Sequence, residues 1–290
     1  MKLSENARGA LLMVGSMTAF TLNDACMKGL AGDIPLAQAI VLRGIGTTIL
    51  LYGLARAMGQ LSFRLGRRDA ALLALRTATE IGAAFFFLSA VFNMPLANAT
   101  AILQVLPLAV TLTGALVFRE PLGWRRLTAI AIGFVGVMLI VRPGADGFTI
   151  YSVYALAAVG LVTVRDLAAR RMSAALPSLT VAFVNAAGVT LAFSIGAAFE
   201  PWAPVSGRSA VLLVGAMVWV LAAYVLSVTA MRVGELSVVA PFRYTSLVVA
   251  LLVGLVAFQE WPDAVTLAGA SLVVATGIFT LWREGRLRGA

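Results

Sequence analysis

Residues 97–118 have the sequence ANATAILQVLPLAVTLTGALVF, a long run without a charged side chain. The hydrocarbon core of a bilayer is about 30 Å thick, and a helix needs roughly 20 apolar residues to cross it. The run therefore predicts a membrane-spanning helix. Nine further runs of similar length and composition lie at 9–30, 34–55, 70–92, 124–142, 148–168, 177–199, 209–231, 236–258 and 262–282. We number the ten predicted spans in chain order, so that residues 97–118 form span 4.

The composition excludes several classes of protein. Of the 290 residues, 61% are apolar and 12% are charged, whereas a soluble domain carries about 45–50% apolar and roughly 25% charged residues. An ordinary cytoplasmic enzyme, a disordered chain and a nucleic-acid binder are therefore not expected. The chain has no His, and its only Cys is Cys26, so imidazole or thiolate metal sites and a Ser-His triad are excluded. We expect no enzymatic activity, cofactor or metal.

The distribution of basic residues predicts the orientation in the membrane. With the N-terminus in the cytoplasm, sixteen of the 22 Lys and Arg residues fall in the inside segments, Arg165 and Arg170 among them, and the outside links hold only Lys28, Arg142 and Arg208. Cytoplasmic loops of membrane proteins carry such an excess of Lys and Arg. We therefore expect a multi-pass protein of the bacterial inner membrane with both termini in the cytoplasm.

The two halves of the chain resemble each other. Thr21, Asp24, Lys28 and Pro35 recur with the same spacing as Thr163, Asp166, Arg170 and Pro177, and Phe118 and Glu120 recur, at a slightly shorter offset, as Phe258 and Glu260. Each half holds five spans. Because five is odd, the second half enters the membrane from the opposite side. We therefore predict an all-α membrane protein with ten transmembrane helices, arranged as two inverted five-helix repeats at 1–145 and 146–290. Secondary transporters are typically built in this way and bind substrate near the midplane.

The residues that carry the repeat also resemble a known family. The stretch from Pro107 through Phe118, Arg119, Glu120 and Pro121 to the helix with Gly133 and Gly136, and its echo from Tyr244 and Ser246 through Phe258, Gln259 and Glu260 to Gly269 and Gly277, resemble EamA-type transporters of the drug/metabolite transporter superfamily. The chain looks most similar to the YddG-like bacterial exporters of aromatic and other amino acids. The resemblance implies a central cavity lined mainly by helices 1, 3, 4, 6, 8 and 9, with helices 5 and 10 at the periphery.

Charged residues inside the spans are candidates for substrate binding, because a charge at bilayer depth is costly and usually faces protein or water. Arg76 and Glu80 lie four residues apart on one face of span 3, and Arg43 and Arg243 lie in spans 2 and 9. Three Arg against one Glu predict a positive cavity that suits a substrate carboxylate. Glu80 is the candidate proton or ammonium site. The alternatives are structural ion pairs of Glu80 with Arg76 or Arg43, and an Arg243 that reaches the interface.

Polar and aromatic residues add further candidates for the cavity. Gln104 lies in span 4, which Asn98 opens, and Gln104 corresponds to Tyr244 at the offset that relates Phe118 to Phe258. We expect Gln104 and Tyr244 to face one cavity from opposite halves, and Asn23 in span 1 is a further polar candidate. The remaining members of this predicted set are the aromatic residues Trp219 and Tyr224. The alternatives are interhelical hydrogen bonds for the polar groups and core or lipid packing for the rings.

Residues near the ends of the spans are candidates for gates. Asp24 with Lys28 and Asp166 with Arg170 form matched pairs four residues apart, a spacing at which side chains on a helix meet. The inverted repeat predicts these pairs at opposite mouths of the cavity. Pro107 and Pro241 interrupt the repeat-equivalent spans 4 and 9, and bends there would suit rocking of the halves. The alternatives are solvation of helix ends and static kinks.

Together these features predict a secondary transporter. We expect a monomeric exporter of small organic solutes by alternating access, with amino acids, including aromatic ones, as the implied substrates. Its partners are then the small-molecule substrate and the lipid bilayer, and no nucleic acid is expected. The alternatives are a transporter of another metabolite or drug of the same superfamily and, from a different class, a membrane-embedded lipid-modifying enzyme.

Overall fold

The computed structural model describes residues 4–63, 65–118, 123–143, 149–173, 176–233 and 236–288. Within them, ten helices are long and apolar enough to cross a membrane, as predicted, and there is no strand. The helices are α1 Glu5–Lys28, α2 Leu36–Ala57, α3 Arg67–Asn93, α4 in two segments, Leu96–Leu103 and Leu106–Phe118, α5 Trp124–Val141, α6 Ile150–Arg171, α7 Ser178–Ala197, α8 Gly207–Val233, α9, which runs from Leu236–Val239 through a 3-10 turn at Ala240–Tyr244 to Thr245–Phe258, and α10 Ala264–Arg288.

Local sequence signals set where the helices begin. The Ser4 hydroxyl accepts the backbone N–H of Ala7 at 3.2 Å and caps α1, since the first N–H groups of a helix lack partners within it. Pro35 and Pro177 directly precede α2 and α7. The Asp263 carboxylate accepts the N–H groups of Thr266 and Val265 at 3.0 and 2.9 Å. These bonds, together with the nearby Arg142 guanidinium, hold the pKa of the Asp263 carboxyl below its usual range.

The pairing of the helices has the symmetry of an inverted repeat. The most extensive interfaces join α1 to α8, α3 to α6, α5 to α10 and α2 to α7. Exchanging the repeats turns α1 into α6 and α8 into α3, so the first interface maps onto the second, while each of the other two maps onto itself. The fold is therefore two inverted five-helix repeats. The predicted boundary between residues 145 and 146 lies outside the described residues.

Two side-chain contacts lie where the pseudo-two-fold axis crosses the molecule. The hydroxyls of Thr48 in α2 and Thr190 in α7 lie 3.5 Å apart. The Gln104 amide in α4 donates a hydrogen bond to the Ser246 hydroxyl in α9. The sequence separation is the same in both pairs and equals the offset that relates Asp24 to Asp166, so each side chain contacts its own repeat equivalent. Only residues on the axis can do this.

The helices that contain Pro107 and Pro241 are both irregular. In α4 the regular α-helix is interrupted at Gln104 and Val105, where the Val105 N–H bonds to the Ile102 carbonyl at 3.2 Å, and Pro107 has no N–H to donate to the preceding turn. In α9, Pro241 lies in the 3-10 turn. The predicted interruptions therefore occur in both repeats but at different depths, since at the offset of 142 residues the turn at Ala240–Tyr244 corresponds to residues 98–102, before the break in α4.

The interface between α5 and α10 depends on the absence of side chains. A Cβ on Gly136 would lie 2.7 Å from the Gly269 carbonyl oxygen, and a Cβ on Gly269 would lie 2.5 Å from the Gly136 carbonyl oxygen. Small residues let membrane helices approach this closely, and packing then supplies much of the association energy.

We predict that Gly136→Ala destabilises the protein by about 1–3 kcal/mol, because the added methyl group meets backbone that cannot rotate away. Thermal unfolding of the purified protein in detergent measures the change. Gly160→Ala in α6 is the matched control, since nothing lies within 4 Å of a Cβ at that position, and it should unfold at or above the wild-type temperature. Equal unfolding temperatures for both variants would contradict the close contact of α5 and α10.

Candidate functional site

A pocket with several polar lining residues, partly open to solvent, lies between the two repeats. It is lined by α2, α3, α7 and α8, and its polar lining residues are Arg43, Thr47, Glu80, Asn185, Thr190 and Tyr224. Helices 3 and 8 agree with the expected cavity lining, whereas α2 and α7 are not among the helices that the resemblance implies. The pocket brings together a cation, a carboxylate and a phenol in the middle of an otherwise apolar bundle.

Residues of α1 orient the cation of the pocket. The Arg43 Nη1 group donates a hydrogen bond to Asn23 Oδ1 at 3.2 Å, and Asn23 Nδ2 donates to Asp24 Oδ1 at 2.9 Å. Arg43 and Asp24 also attract each other electrostatically. The buried Asn23 therefore links a carboxylate of α1 to the guanidinium of α2, and Arg43 keeps further N–H groups for a ligand.

Glu80, the carboxylate of the pocket, is paired with Arg165, a residue that the distribution of basic residues predicts to lie in a cytoplasmic segment. Arg165 Nη1 of α6 donates to Glu80 Oε2 at 2.9 Å, and the Nε and Nη2 groups of Arg165 lie 2.9 Å from Asp166 Oδ1. The assignment of Arg165 to the inside segments is therefore wrong. Arg165 lies less than two turns before the end of α6, and the two carboxylates hold its side chain inside the bundle. Its only signal in the sequence is its place beside Asp166.

Arg76 does not form the predicted ion pair with Glu80. The Arg76 Nε group is buried and has no hydrogen-bond partner, although Arg76 and Glu80 attract each other electrostatically. The i, i+4 spacing brings the two side chains to one face, but such a pair contributes only about 0.2–0.5 kcal/mol. Arg165 approaches Glu80 from another helix and forms the hydrogen bond instead.

The buried charges are more nearly balanced than the sequence predicts. The cluster holds Arg43, Arg76, Arg165, Arg243, Asp24, Glu80 and Asp166. Four guanidinium groups face three carboxyl groups, which gives a net charge of +1 when all are ionised. The three Arg and one Glu expected from the sequence would have given a net charge of +2. Arg243 is attracted by Asp166, so it belongs to this cluster and not to the interface. The surplus is smaller but still favours an anionic group of a ligand.

The predicted aromatic residues divide between the pocket and other surroundings. Tyr224 lines the pocket, and the Phe20 ring packs edge-on against it with 5.5 Å between centroids. Trp219 is 39% exposed, and its neighbour Val220 lines the pocket instead. Tyr244 is 4% exposed, and its hydroxyl, which has no hydrogen-bond partner, lies against the backbone of Gly277 in α10.

The expectation that Gln104 and Tyr244 face one cavity is therefore wrong. Gln104 is bonded to Ser246 on the axis, and Tyr244 occupies the space that Gly277 leaves empty. Asn98 lies in the first turn of α4, where its side-chain oxygen is buried without a hydrogen-bond partner, and it does not line this pocket.

The two predicted ion pairs at the mouths do not form. The Lys28 ammonium lies 3.0 Å from Glu260 Oε1 and donates to the Met94 carbonyl at 2.7 Å, while Asp24 is bonded to Asn23. At the other mouth Asp166 is bonded to Arg165, and Arg170 is exposed. In both cases a group on another helix or a closer neighbour gives a better hydrogen bond than the i, i+4 partner.

The Lys28–Glu260 pair ties three helices together at the predicted outer face. Glu260 Oε2 accepts the N–H of Leu96, the first residue of α4, at 3.2 Å, and the Lys28 ammonium lies 5.3 Å from the centre of the Phe258 ring. We call the set Lys28, Met94, Leu96, Phe258 and Glu260 the outer lock. Glu120, the repeat equivalent of Glu260, lies outside the described residues with its neighbours Arg119 and Pro121.

We predict strong coupling between Glu80 and Arg165 in a double-mutant cycle of thermal stability. Arg165→Gln should destabilise by about 3–5 kcal/mol, because it leaves the buried Glu80 carboxylate without its hydrogen-bonded cation, and Glu80→Gln should cost less, because Arg165 keeps Asp166. The double variant should be more stable than the sum of the two losses predicts. The exposed pair Asp33–Arg208 is the matched control, for which a coupling of about 0–1 kcal/mol is expected. Additive losses at Glu80 and Arg165 would contradict the pairing.

Comparison with known proteins agrees with this architecture. Residues 7–142 match the model of the EamA-like transporter family. The pseudopaline exporter CntI of Pseudomonas aeruginosa strain UCBPP-PA14 is 27% identical to the chain, over 93% of this chain and 94% of the exporter. The riboflavin transporter of Vibrio cholerae is 26% identical, over 97% and 95% of the two chains.

A further relative and a solved structure extend the comparison. An S-adenosylmethionine uptake transporter of Rickettsia bellii is 26% identical over 66% of this chain and 65% of its own length. One solved crystal structure superposes with a TM-score of 0.68 at 21% identity, covering 97% of this chain and 99% of the other. That likeness shows the fold. Residues 7–142 thus match the EamA-like transporter family, and nearly the whole chain is similar to membrane transporters of small molecules, not to enzymes.

Proposed function

We propose that the protein is a monomeric secondary transporter of the bacterial inner membrane that exports amino acids, including aromatic ones. The observation that carries this proposal is the presence of Arg43 and Glu80 in one pocket between the repeats. An amino acid carries a carboxylate and an ammonium group. A guanidinium binds a carboxylate through two N–H groups, and a carboxylate accepts hydrogen bonds from an ammonium. The pocket therefore offers one complementary group for each end of the zwitterion.

The rest of the pocket suits the side chain of such a substrate. Tyr224 and the adjoining Phe20 provide aromatic surface, and aromatic rings favour edge-to-face contacts with one another. Thr47, Asn185 and Thr190 add hydroxyl and amide groups. A pocket of this kind, with a few convergent polar groups on an apolar scaffold, is typical of small-molecule sites.

A second candidate function is transport of another organic metabolite. The names of the relatives favour it, since they refer to pseudopaline, S-adenosylmethionine and riboflavin, and they include both an exporter and an uptake transporter. In either case the same pocket would bind the solute, and only its chemistry would differ.

Transport would proceed by alternating access with the outer lock as one gate. With the N-terminus in the cytoplasm, Lys28 and Glu260 lie at the outer ends of α1 and α9, and their pair closes that side. Arg170, the repeat equivalent of Lys28, is exposed at the opposite mouth and would form the corresponding inner gate. Asp24 and Asp166 lie one turn inside these positions, and the irregular segments at Pro107 and Pro241 would provide the bends.

Transport by the purified protein in liposomes tests the proposal. We expect flux of labelled L-phenylalanine and L-leucine, measured with and without a pH gradient. Arg43→Ala and Glu80→Ala should each lower the flux at least roughly tenfold, which corresponds to a loss of about 1.4 kcal/mol. Leu191→Ala, at a 68% exposed position of α7, is the control and should transport at the wild-type rate. Wild-type flux in both pocket variants would refute the site, and no amino-acid flux would refute the substrate.

Breaking the outer lock should open the pocket to the outside. In a Cys26→Ala background, Thr47→Cys places a thiol in the pocket, and a membrane-impermeant maleimide added outside reports its accessibility. Lys28→Ala should increase labelling severalfold, because Glu260 then loses its cation. Arg208→Ala, which breaks an exposed ion pair with Asp33, is the control and should leave labelling unchanged. Unchanged labelling in Lys28→Ala as well would show that the lock is not a gate.

A further inference from the structure

The carboxylate of the pocket is already occupied by a cation of the other repeat. Glu80 lies at the midpoint of α3, and its Oε2 accepts the Arg165 Nη1 hydrogen bond at 2.9 Å. Both side chains are largely buried, with 19% and 21% exposed. Any cationic group of a ligand that binds Glu80 must therefore compete with Arg165 or share the carboxylate with it.

Arg165 is able to leave Glu80 without becoming an unpaired buried charge. Its Nε and Nη2 groups already lie 2.9 Å from Asp166 Oδ1 on the same helix. An arginine has five N–H donors in a planar fork and can hold two carboxylates at once. If Glu80 were taken by another cation, Arg165 would retain Asp166. The cost of an isolated buried charge would thus be avoided.

This arrangement occurs in one repeat only. Since Asp24 corresponds to Asp166, its neighbour Asn23 corresponds to Arg165. Asn23 is uncharged and serves as an acceptor for Arg43 and a donor to Asp24. At the same offset, the equivalent of Glu80 is Ala222. The second repeat thus carries a cation, Arg165, where the first has the amide of Asn23. Arg165 binds Glu80, whose own repeat equivalent, Ala222, has no carboxylate.

We propose that Arg165 is a positioning residue that occupies Glu80 in the empty transporter and yields it to the ammonium group of the substrate, while remaining bound to Asp166. The proposal rests on the proposed function for the identity of that substrate. The exchange moves no proton and breaks no covalent bond. Its consequence is selection: a ligand with an ammonium group releases the Arg165–Glu80 link between α3 and α6 on binding, whereas a ligand with a carboxylate alone leaves that link in place.

Binding of phenethylamine, an aromatic amine without a carboxylate, tests the exchange in purified protein. Thermal-shift titration in detergent gives its apparent Kd for each variant. Arg165→Gln should bind phenethylamine roughly tenfold more tightly than the wild type, since the competitor is gone. Glu80→Gln/Arg165→Gln should lose that gain. The affinity for 3-phenylpropionate, which lacks the ammonium group, should not rise in either variant.

Arg76→Gln is the matched control for the loss of a charge alone. Arg76 lies in the same cluster and is attracted to Glu80, but the two side chains form no hydrogen bond with each other. A gain in Arg76→Gln equal to that in Arg165→Gln would overturn the proposal, because general electrostatics would then account for both. So would an unchanged or weaker affinity in Arg165→Gln. If that variant does not fold, Arg165→Lys decides, with an expected gain of roughly threefold and the same overturning result.

The outcome separates this inference from the proposed function. Tighter phenethylamine binding in Arg165→Gln supports the exchange even if the wild type transports no amino acid, in which case only the assigned substrate fails. Where L-phenylalanine is transported, Arg165→Gln should lower its KM and leave kcat near the wild-type value, because the tie is already broken in the loaded state. A purely structural role would lower kcat and leave the phenethylamine to 3-phenylpropionate affinity ratio unchanged.

Discussion

The cost of an unpaired charge in a membrane determines the arrangement of this protein. Seven ionisable groups of one cluster lie inside the bundle, and removing an ion from water in such surroundings is expensive unless a partner and hydrogen bonds compensate it. Arg165 contacts both Glu80 and Asp166, and Arg43 is held through Asn23 beside Asp24. The Arg165–Glu80 link joins helices of different repeats. Glu80, which a ligand would use, also joins the two halves, so binding and movement would be coupled through this carboxylate.

The fold could be predicted from the sequence because its signals are local or periodic. Each span is a continuous apolar run, and the odd number of spans in each half forces the inversion. The position of the cluster followed from the same reasoning, since a charge within a span such as Arg43 or Glu80 must face protein or water. The partners of the buried charged residues could not be predicted in the same way. The partner of Glu80 lies far away in sequence, on a helix of the other repeat, and no periodicity of α3 points to it.

Two of the wrong assignments, those of Arg165 and of Tyr244, have particular physical reasons. Arg165 is close enough to the end of α6 to reach the interface, and only the buried carboxylates decide that it does not. The match of Tyr244 to Gln104 rests on the offset that relates Phe118 to Phe258, whereas the contacts on the axis pair Gln104 with Ser246. The step from Tyr244 to Ser246 is a rotation of about 200° on a helix. The shorter offset therefore selects Tyr244, on the face of α9 that packs against α10. The residue on the face that meets the other repeat is Ser246.

The two contacts on the pseudo-two-fold axis also bear on the ancestry of the chain. Before the halves were joined, a protein of five helices would have paired with a second, inverted copy of itself, and each residue on the axis would have met its own twin. Thr48 and Thr190 still form such a pair of identical side chains. Gln104 and Ser246 do not. In a single chain the two sides need not carry the same residue, so an amide donor can lie opposite a hydroxyl acceptor.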